Sequence, residues 1–568
     1  MPPTSFRSIR QWLILAGILA IYVYNVERWH PTAFFARYQD DSIYLSSAKA
    51  LAQGQDYVIP SFPGTPRQTK YPILYPYLLS WIWKLNPVFP GNLKDGVRLT
   101  EFFGCWSLVV AFLLLRKLPG IAEPSALFLT ALCAFQPDFL RLSGAIMSDV
   151  PFMALLLTAL LFADQAMRSG AAARLAIATG AVAGLSMGMR TIGIALVVGI
   201  FLVALKRRAY RQAILLGATA GLVVAMESWP TLFHRAAMRS DSNPLEPGWN
   251  QVLAYYTNYV QFQWQMGVPT IRAFLSMVKL NFLLLLTSPG SIVVGPVGKW
   301  AAPVTAVLSV PIWLGIVRHA RREEWQPICS VFLCYSAILL VWPYPQPERF
   351  LLPFVPLFFA GLWLEMLRLG AVLRTNLRRE APLSQRVIAG GLAAVLICLF
   401  AFAGWNYLVR DPRQLRLASA SQEHALEERK QAYEWIREHT APGDRIAAYQ
   451  DAAMYLYTGR QGVRPVVFLP VASYMSDSKS LEHDLAHIAD APRHVGARYW
   501  LTTDDDFDLE VGKDRIDARM AEIKAVLPMV YRSRENTAQI YDTSCIADEE
   551  GPRCQRAALI IFPAEAEP

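Results

Sequence analysis

The sequence predicts an α-helical polytopic membrane protein with a soluble α/β tail, and three observations carry that prediction. Hydrophobic residues fill 54% of the 568 positions and charged residues only 17%, with a mean hydropathy of +0.27; an ordinary soluble domain would be about one quarter charged. The apolar residues gather into runs of roughly 15 to 20, close to the length of a membrane-crossing helix, and these runs occupy most of the chain before position 410. Lys and Arg, in excess to a net charge of +9, sit in the short loops between the runs, as in cytoplasmic loops of membrane proteins. That placement accounts for the charge with no nucleic-acid partner. The 16 Trp and 23 Tyr suit the headgroup zones of a bilayer.

Taken in order, Arg7 and Arg10 precede an apolar run from Trp12 to Val26 with no small-residue cleavage site after it. This predicts an uncleaved first span with its N-terminus in the cytoplasm. Residues 28–98 then form a large outer loop. Within it the run from Tyr71 to Leu85 should not cross, because a span there would put Arg116-Lys117, Arg168, Arg174 and Lys206-Arg207-Arg208 outside. Its two prolines, Lys84, Trp81 and Trp83 suit a helix lying at the membrane surface. The remaining spans are expected at 99–115, 124–140, 150–166, 174–188, 190–205, 211–230, 299–317, 325–342, 350–367 and 387–408, about eleven in all. The stretch 272–296 is apolar enough to enter the membrane, yet one crossing there would invert everything after it. A re-entrant or interfacial hairpin broken at Pro289-Gly290 is therefore expected.

Residues 1–409 thus read as the membrane domain and 410–568 as an outer tail. Tyr433-Glu434-Trp435-Ile436 begins a helix that stops at Ala441-Pro442-Gly443-Asp444, Arg445 to Tyr449 reads as a strand, and apolar runs recur at 466–469, 499–502 and 558–562. Five cysteines (105, 133, 329, 334 and 398) fall within spans as small apolar side chains. Cys545 and Cys554 lie in the tail, where a short loop in an oxidising compartment predicts a disulfide between them.

The residues able to carry chemistry fall on the outer face. Asp40 and Asp41 are adjacent, and on a helix neighbours point about 100° apart, so one catalytic and one structural carboxylate is the natural division; capping of a helix near Ser42 is the plain alternative. Asp149, in Met147-Ser148-Asp149-Val150-Pro151, has the same plain alternative at the mouth of the fourth span. Lys70, in Lys70-Tyr71-Pro72-Ile73-Leu74-Tyr75-Pro76, and Arg349, following Glu348 in Pro345-Gln346-Pro347-Glu348-Arg349, share that face, and Arg190 should lie near it. Cations at membrane depth usually face a partner or a cavity, and a lipid phosphate fits both Arg and Lys.

These pieces resemble the GT-C superfamily of membrane glycosyltransferases, in its branch of protein O-mannosyltransferases and lipid A aminoarabinose transferases. The resemblance rests on the acidic pair after the first span, the Lys70 to Pro76 segment, and Ser148-Asp149-Val150-Pro151. Gly184 to Gly193 around Met189-Arg190-Thr191, and Arg349-Phe350-Leu351-Leu352-Pro353 with Pro356, complete it over about 350 residues. The stretch from Tyr433 to Arg464, with Leu456-Tyr457-Thr458-Gly459-Arg460, is similar to the tails of bacterial members. The pair is commonly Asp-Glu and here Asp40-Asp41, which leaves the first position intact.

The resemblance implies inverting transfer of a sugar from a polyprenyl-phosphate carrier to a glycan, lipid or protein hydroxyl on the outer side of a bacterial inner membrane, with the tail periplasmic. It implies Asp40 as base, Asp149 as the group supporting the acceptor or orienting the site, and Lys70, Arg349 and Arg190 on the donor phosphate. Asp41, Tyr71, Tyr75 and Glu348 are read as supporting residues. Some relatives bind a divalent metal near this loop; no ligand set with defined spacing is present, so no metal is expected to be required. A flippase for lipid-linked sugars and a catalytically inactive scaffold are the rivals. A transporter would show repeated halves and midplane polar groups, and neither is seen.

Three further features read more simply. His483 and His487 lack a third ligand for zinc and read as surface histidines. Asp504-Asp505-Asp506-Phe507-Asp508 lacks the spacing of a calcium loop and reads as a solvated turn. Tyr255, Tyr256, Tyr259, Phe262 and Trp264 could stack on a sugar or on isoprenes, but read first as interface anchors.

Overall fold

The structure, a computed structural model, describes residues 4–29, 31–167, 172–233, 246–268, 270–295, 301–344, 347–377, 382–475, 477–508, 510, 512–544 and 560–562. Cys545 and Cys554, and hence the expected disulfide, lie outside the described residues. Long apolar runs fold as helices because every backbone N–H and C=O is then satisfied within the run. They give α1 (Thr4–Glu27), α4 (Leu93–Leu115), α7 (Asp149–Ala166), α8 (Ala173–Met189), α9 (Ile194–Lys206) and α10 (Tyr210–Phe233). Further along come α12 (Ile271–Val294), α13 (Ala301–His319), α14 (Gln326–Leu340), α16 (Val355–Asn376) and α17 (Leu383–Trp405). Among the described residues, five helical segments, Ile9–Glu27, Leu93–Leu115, Asp149–Ala166, Ile271–Val294 and Leu352–Asn376, are by themselves long and apolar enough to cross a membrane. Glycines let some helices meet backbone to backbone. A Cβ on Gly315 of α13 would lie 1.9 Å from the Gly361 carbonyl of α16.

The expected span 124–140 is instead two helices, α5 (Glu123–Ala134) and α6 (Pro137–Ser143). Pro137 has no N–H to continue the ladder, and the Gln136 side chain caps the new helix through the Phe139 N–H at 2.6 Å. The hairpin expected at 272–296 is also corrected. α12 runs unbroken through Pro289, and the Ser309 hydroxyl satisfies backbone groups around the proline, accepting from Gly290 N–H and donating to Thr287 C=O, both at 2.8 Å. Both ends of α12 nevertheless lie at the same end of the helical layer. Gly267, just before α12, packs on Pro470 of the tail, and Gly295, just after it, lies against Asp411.

At that end sit α2 (Asp40–Ala52) and α3 (Leu74–Leu85), packed on one another. With 12 residues, α3 is about 18 Å long, too short for a hydrocarbon core of about 30 Å. It leaves Tyr77, Trp81 and Leu85 exposed, while Trp83 is buried and donates to the Leu45 carbonyl at 3.0 Å.

No loop separates α17 from the tail: a π-turn over Asn406–Arg410 leads straight into α18 (Asp411–His439). The tail's sheet is β1 (Ile446–Ala448), β2 (Gly462–Val463), β3 (Tyr499–Thr503), β4 (Met529–Arg532) and β5 (Ala538–Asp542), in the order β2-β1-β3-β5-β4. The three leading strands are parallel, and β5 pairs antiparallel with both β3 and β4. The apolar run 466–469 is buried loop rather than strand. α19 (Asp451–Thr458) and α23 (Lys513–Val526) pack on the sheet, with short helices α20 (Pro470–Met475), α21 (Ser478–Ala486) and α22 (Asp490–His494) between them.

Tail and outer loops share one core. Phe62, Trp249 and Tyr256 pack among Val463, Val467 and Trp500, and the segment before Val463 bonds along the outer loop: Gly462 N–H to Ser61 C=O at 2.9 Å, and Gln461 Nε2 to the Pro60 and Phe62 carbonyls at 3.2 Å. α11 (Pro247–Thr257) is drawn into the same core. Its Tyr256 hydroxyl donates to both oxygens of Asp451 (2.9 and 3.0 Å). The aromatic stretch is thus a packing element between loop and tail, which overturns its reading as an interface anchor for Tyr255, Tyr256 and Phe262, all buried.

Candidate active site

Between the helical layer and the tail lies a cavity of about 560 Å³, within the range of small-ligand sites. Asp40, Lys70, Tyr71, Arg190, Glu348 and Arg349 line it from the helical side, Tyr255 of α11 and Tyr259 just after it from the segment before α12, and Tyr449, Arg464 and Glu510 from the tail.

Arg349 sits in α15 (Pro347–Phe350), a single turn ahead of α16, and joins the two candidate carboxylates. Its Nη2 donates to Asp40 Oδ2 at 2.8 Å and its Nε to Asp149 Oδ1 at 3.1 Å. Asp149 is 3% exposed at the first residue of α7. Arg190 Nη1 approaches the same Oδ1 to 2.5 Å, though without hydrogen-bond alignment. Arg190 reaches it because the chain becomes extended between α8 and α9 (φ −149°, ψ 133°). The Ser148-Asp149 pair therefore does not cap α7 as its sequence suggested. The Ser148 hydroxyl bonds the Tyr44 hydroxyl (3.0 Å) and Asp149 faces the two arginines.

Asp40 and Asp41 point apart. Asp41 is buried and accepts the backbone N–H groups of Ala36 (2.9 Å) and Ser42 (2.7 Å). Burial outweighs those bonds and pushes its carboxyl up to about 7. Asp40 faces the cavity, accepting from Arg349 and from the Tyr71 hydroxyl, with Lys70 Nζ 4.0 Å away. Burial raises its carboxyl, but Arg349, Lys70 and Tyr71 together hold it below the ordinary carboxylate value. Lys70 lies in a cage of Tyr255, Tyr71 and Tyr259, with Nζ 3.6, 4.9 and 5.0 Å from the ring centres. Burial brings its ammonium down to about 7 against the pull of Asp40. Burial likewise raises the Glu348 carboxyl. Tyr75 does not line the cavity. Its hydroxyl bonds Thr100 at 2.7 Å and its ring meets Tyr44 edge-on at 5.3 Å, so it acts one layer behind.

The turn that delivers Asp40 is unusual. Ala36 (φ 72°) and Gln39 (φ 59°) both have positive φ without being glycine. Gln39 (ψ −39°) centres a γ-turn closed by Asp40 N–H to Tyr38 C=O at 2.6 Å, a rare and strained form. Such backbone costs about 1–3 kcal/mol per residue and persists where surroundings hold it. Sequence reasoning missed Gln39, Tyr449, Glu510, and the pair Arg141 and Asp138, which bond to one another at the cavity wall. Pro137 was the available signal for the last pair, since it ends a span just before them; nothing local marks Tyr449 or Glu510.

Among the described residues no three His, Cys, Asp or Glu side chains converge as a metal-binding group. His483 and His487 lie ring to ring at 4.7 Å, and His487 pairs with Asp490 at 3.0 Å. The acidic run is not wholly solvated, a correction to its reading as a turn. Asp506 is buried and accepts from Thr503 N–H at 2.8 Å, and Asp505 pairs with the buried Arg429 at 2.5 Å.

No family model matches the chain, and no curated protein matches it. Solved structures do. ArnT from Cupriavidus metallidurans bound to undecaprenyl phosphate is 14% identical over 94% of this chain and 99% of its own, with a TM-score of 0.51. The oligosaccharyltransferase of Archaeoglobus fulgidus in the apo form is 14% identical over 86% of this chain and 70% of its own, also with a TM-score of 0.51. The chain shares the fold of these two proteins.

Proposed function

We propose that this protein is an inverting glycosyltransferase that moves a sugar from a polyprenyl-phosphate carrier to a hydroxyl of a glycan, lipid or protein on the outer face of an inner membrane. Residues 1–409 are the membrane catalytic unit in this reading and 410–568 a periplasmic domain. The observation that carries it is one cavity in which a half-buried carboxylate, Asp40, lies against two cations that fit a phosphate, Arg349 and Lys70. The carrier class is supported by the shared fold with a protein crystallised with undecaprenyl phosphate.

In this mechanism Asp40 takes the proton of the acceptor hydroxyl as that oxygen bonds to the anomeric carbon. The carbon's bond to the phosphate oxygen breaks on the opposite side, and the electron pair leaves with the polyprenyl phosphate, whose charge falls on Arg349, Lys70 and Arg190. Before donor binds, those cations keep Asp40 a weak base. A donor phosphate competing for Arg349 and Lys70 would relax that hold and raise its basicity when the substrate is in place. Asp149 anchors both arginines.

The test supplies membranes carrying wild type or Asp40→Asn with polyprenyl phosphates labelled in the sugar, and follows label out of the carrier fraction. Loss of label with wild type, reduced by about 10²–10⁴ in the variant at equal protein level, is expected. Equal release by both proteins would remove Asp40 as base, whereas no release from any donor by wild type would favour a scaffold or transporter.

A further inference from the structure

We infer that the tail is part of the catalytic apparatus: Arg464 is a positioning residue that holds the strained turn at Gln39 and thereby aims Asp40 into the cavity. The inference rests on the transferase reading for what Asp40 does, but the contact stands on geometry alone. Arg464 Nη1 donates to Gln39 Oε1 at 2.5 Å across the boundary between tail and outer loop. Gln39 is the centre of the γ-turn, immediately before Asp40.

Side chains from both the loop and the tail grip the turn. Asp41 holds Ala36 N–H, the other positive-φ residue, from within the loop; Arg464 holds Gln39 from the tail. A strained turn relaxes unless its surroundings over-determine it; the Ser42 hydroxyl, donating to the Gln39 carbonyl at 2.8 Å, adds a second hold from within the loop, and Arg464 supplies the one from the tail. Arg464 is itself fixed. It is 4% exposed, its guanidinium lies 4.3 Å from the Tyr449 ring centre, and the Tyr449 hydroxyl donates to Glu510 at 3.0 Å. The same short segment grips the outer loop again through Gln461 and Gly462 at residues 60–62. Lysine at 464 could not reproduce the arrangement, because it lacks the planar fork that stacks on one residue while donating to another.

Two measurements on the full-length protein test this. Hydrogen exchange is compared at the amides of Ala36, Gln39, Asp40 and Ile43 in wild type, Arg464→Met and Gln39→Ala. Loss of a hydrogen bond to a charged group should speed their exchange about ten- to hundredfold, with β3 and β5 protection unchanged; Arg464→Lys should recover part of the protection. If Arg464→Met unfolds the tail, Gln39→Ala, made outside it, decides. Unchanged exchange in Gln39→Ala, or in a folded Arg464→Met, overturns the inference.

In sugar transfer, Arg464→Met and Gln39→Ala should each lower kcat and kcat/KM together by about a hundredfold, the scale of an ångström misplacement. The double variant should be no worse than the poorer single, because both break one contact. A raised donor KM at unchanged kcat, or effects that multiply in the double variant, would also overturn it. Should wild type move no sugar from any donor, the transferase reading fails, while the exchange comparison still decides whether the tail holds the turn.

Discussion

Replacing Lys70 with methionine should stabilise the protein while abolishing its turnover. The side chain is 5% exposed, and burial drives the ammonium from 10.5 to about 7. At 1.36 kcal/mol per unit, a fall of about 3.5 units costs the charged form about 5 kcal/mol in the folded chain. Below pH 7 the lysine is charged in folded and unfolded chains alike, so Lys70→Met should gain that full amount. Between pH 7 and 10.5 the folded lysine has lost its proton and the unfolded one has not, so wild-type stability rises with pH and the variant's advantage fades. With about 2.1 cal/mol/K of unfolding entropy per residue over 568 residues, about 5 kcal/mol corresponds to roughly 4 °C in Tm. Thermal unfolding of detergent-purified protein at pH 6, 8 and 10 measures it. A variant less stable than wild type at pH 6, or a gap that does not shrink as pH rises, would refute the reasoning.

Arg349→Lys keeps the charge but cannot span Asp40 and Asp149 together; losing one charge-assisted bond, worth about 1.5–3 kcal/mol, should lower kcat/KM about ten- to hundredfold in the labelled-donor assay. Asp41 titrates near 7 in the fold and 3.8 outside it, so wild-type stability should decline as pH rises from about 4 to 7. Asp41→Asn should remove that slope in chemical denaturation, and a slope that survives would exclude Asp41 as its source. Gly315→Val puts side-chain carbon where the Gly361 carbonyl lies at the α13–α16 crossing; the expected result is little folded protein on size-exclusion chromatography of solubilised membranes, and a normal yield would contradict the close approach.

Most of the helical layer was legible because burial in lipid imposes a long, continuous apolar signal and basic loops impose a direction. What failed was local. Pro137 ended a helix that hydropathy alone ran through, while Pro289 ended none, because Ser309 from a neighbouring helix satisfied the disturbed backbone. The β4–β5 hairpin escaped because its strands are short and β4 is largely exposed. In the cavity, Asp40, Lys70, Arg190 and Arg349 were legible as charges that lipid would not tolerate without partners. Asp149 was legible as a candidate, though capping explained it equally well until the arginines were placed. Gln39 carries no charge and Arg464 is one basic residue among many in a soluble tail, so their meeting, 425 positions apart, leaves no trace in local pattern.

That meeting also constrains how the chain threads a bilayer. Two segments in direct contact occupy the same side, so the helices between residues 39 and 464 must traverse the membrane an even number of times. An apolar helix entered as one more traverse, as hydropathy alone would enter α12, makes the sum odd and sends the tail to the side opposite Asp40. One side-chain contact thus serves as a parity check on the whole topology. Reporter enzymes fused after residues 268 and 295, flanking α12, should give the same sidedness as one fused after 464.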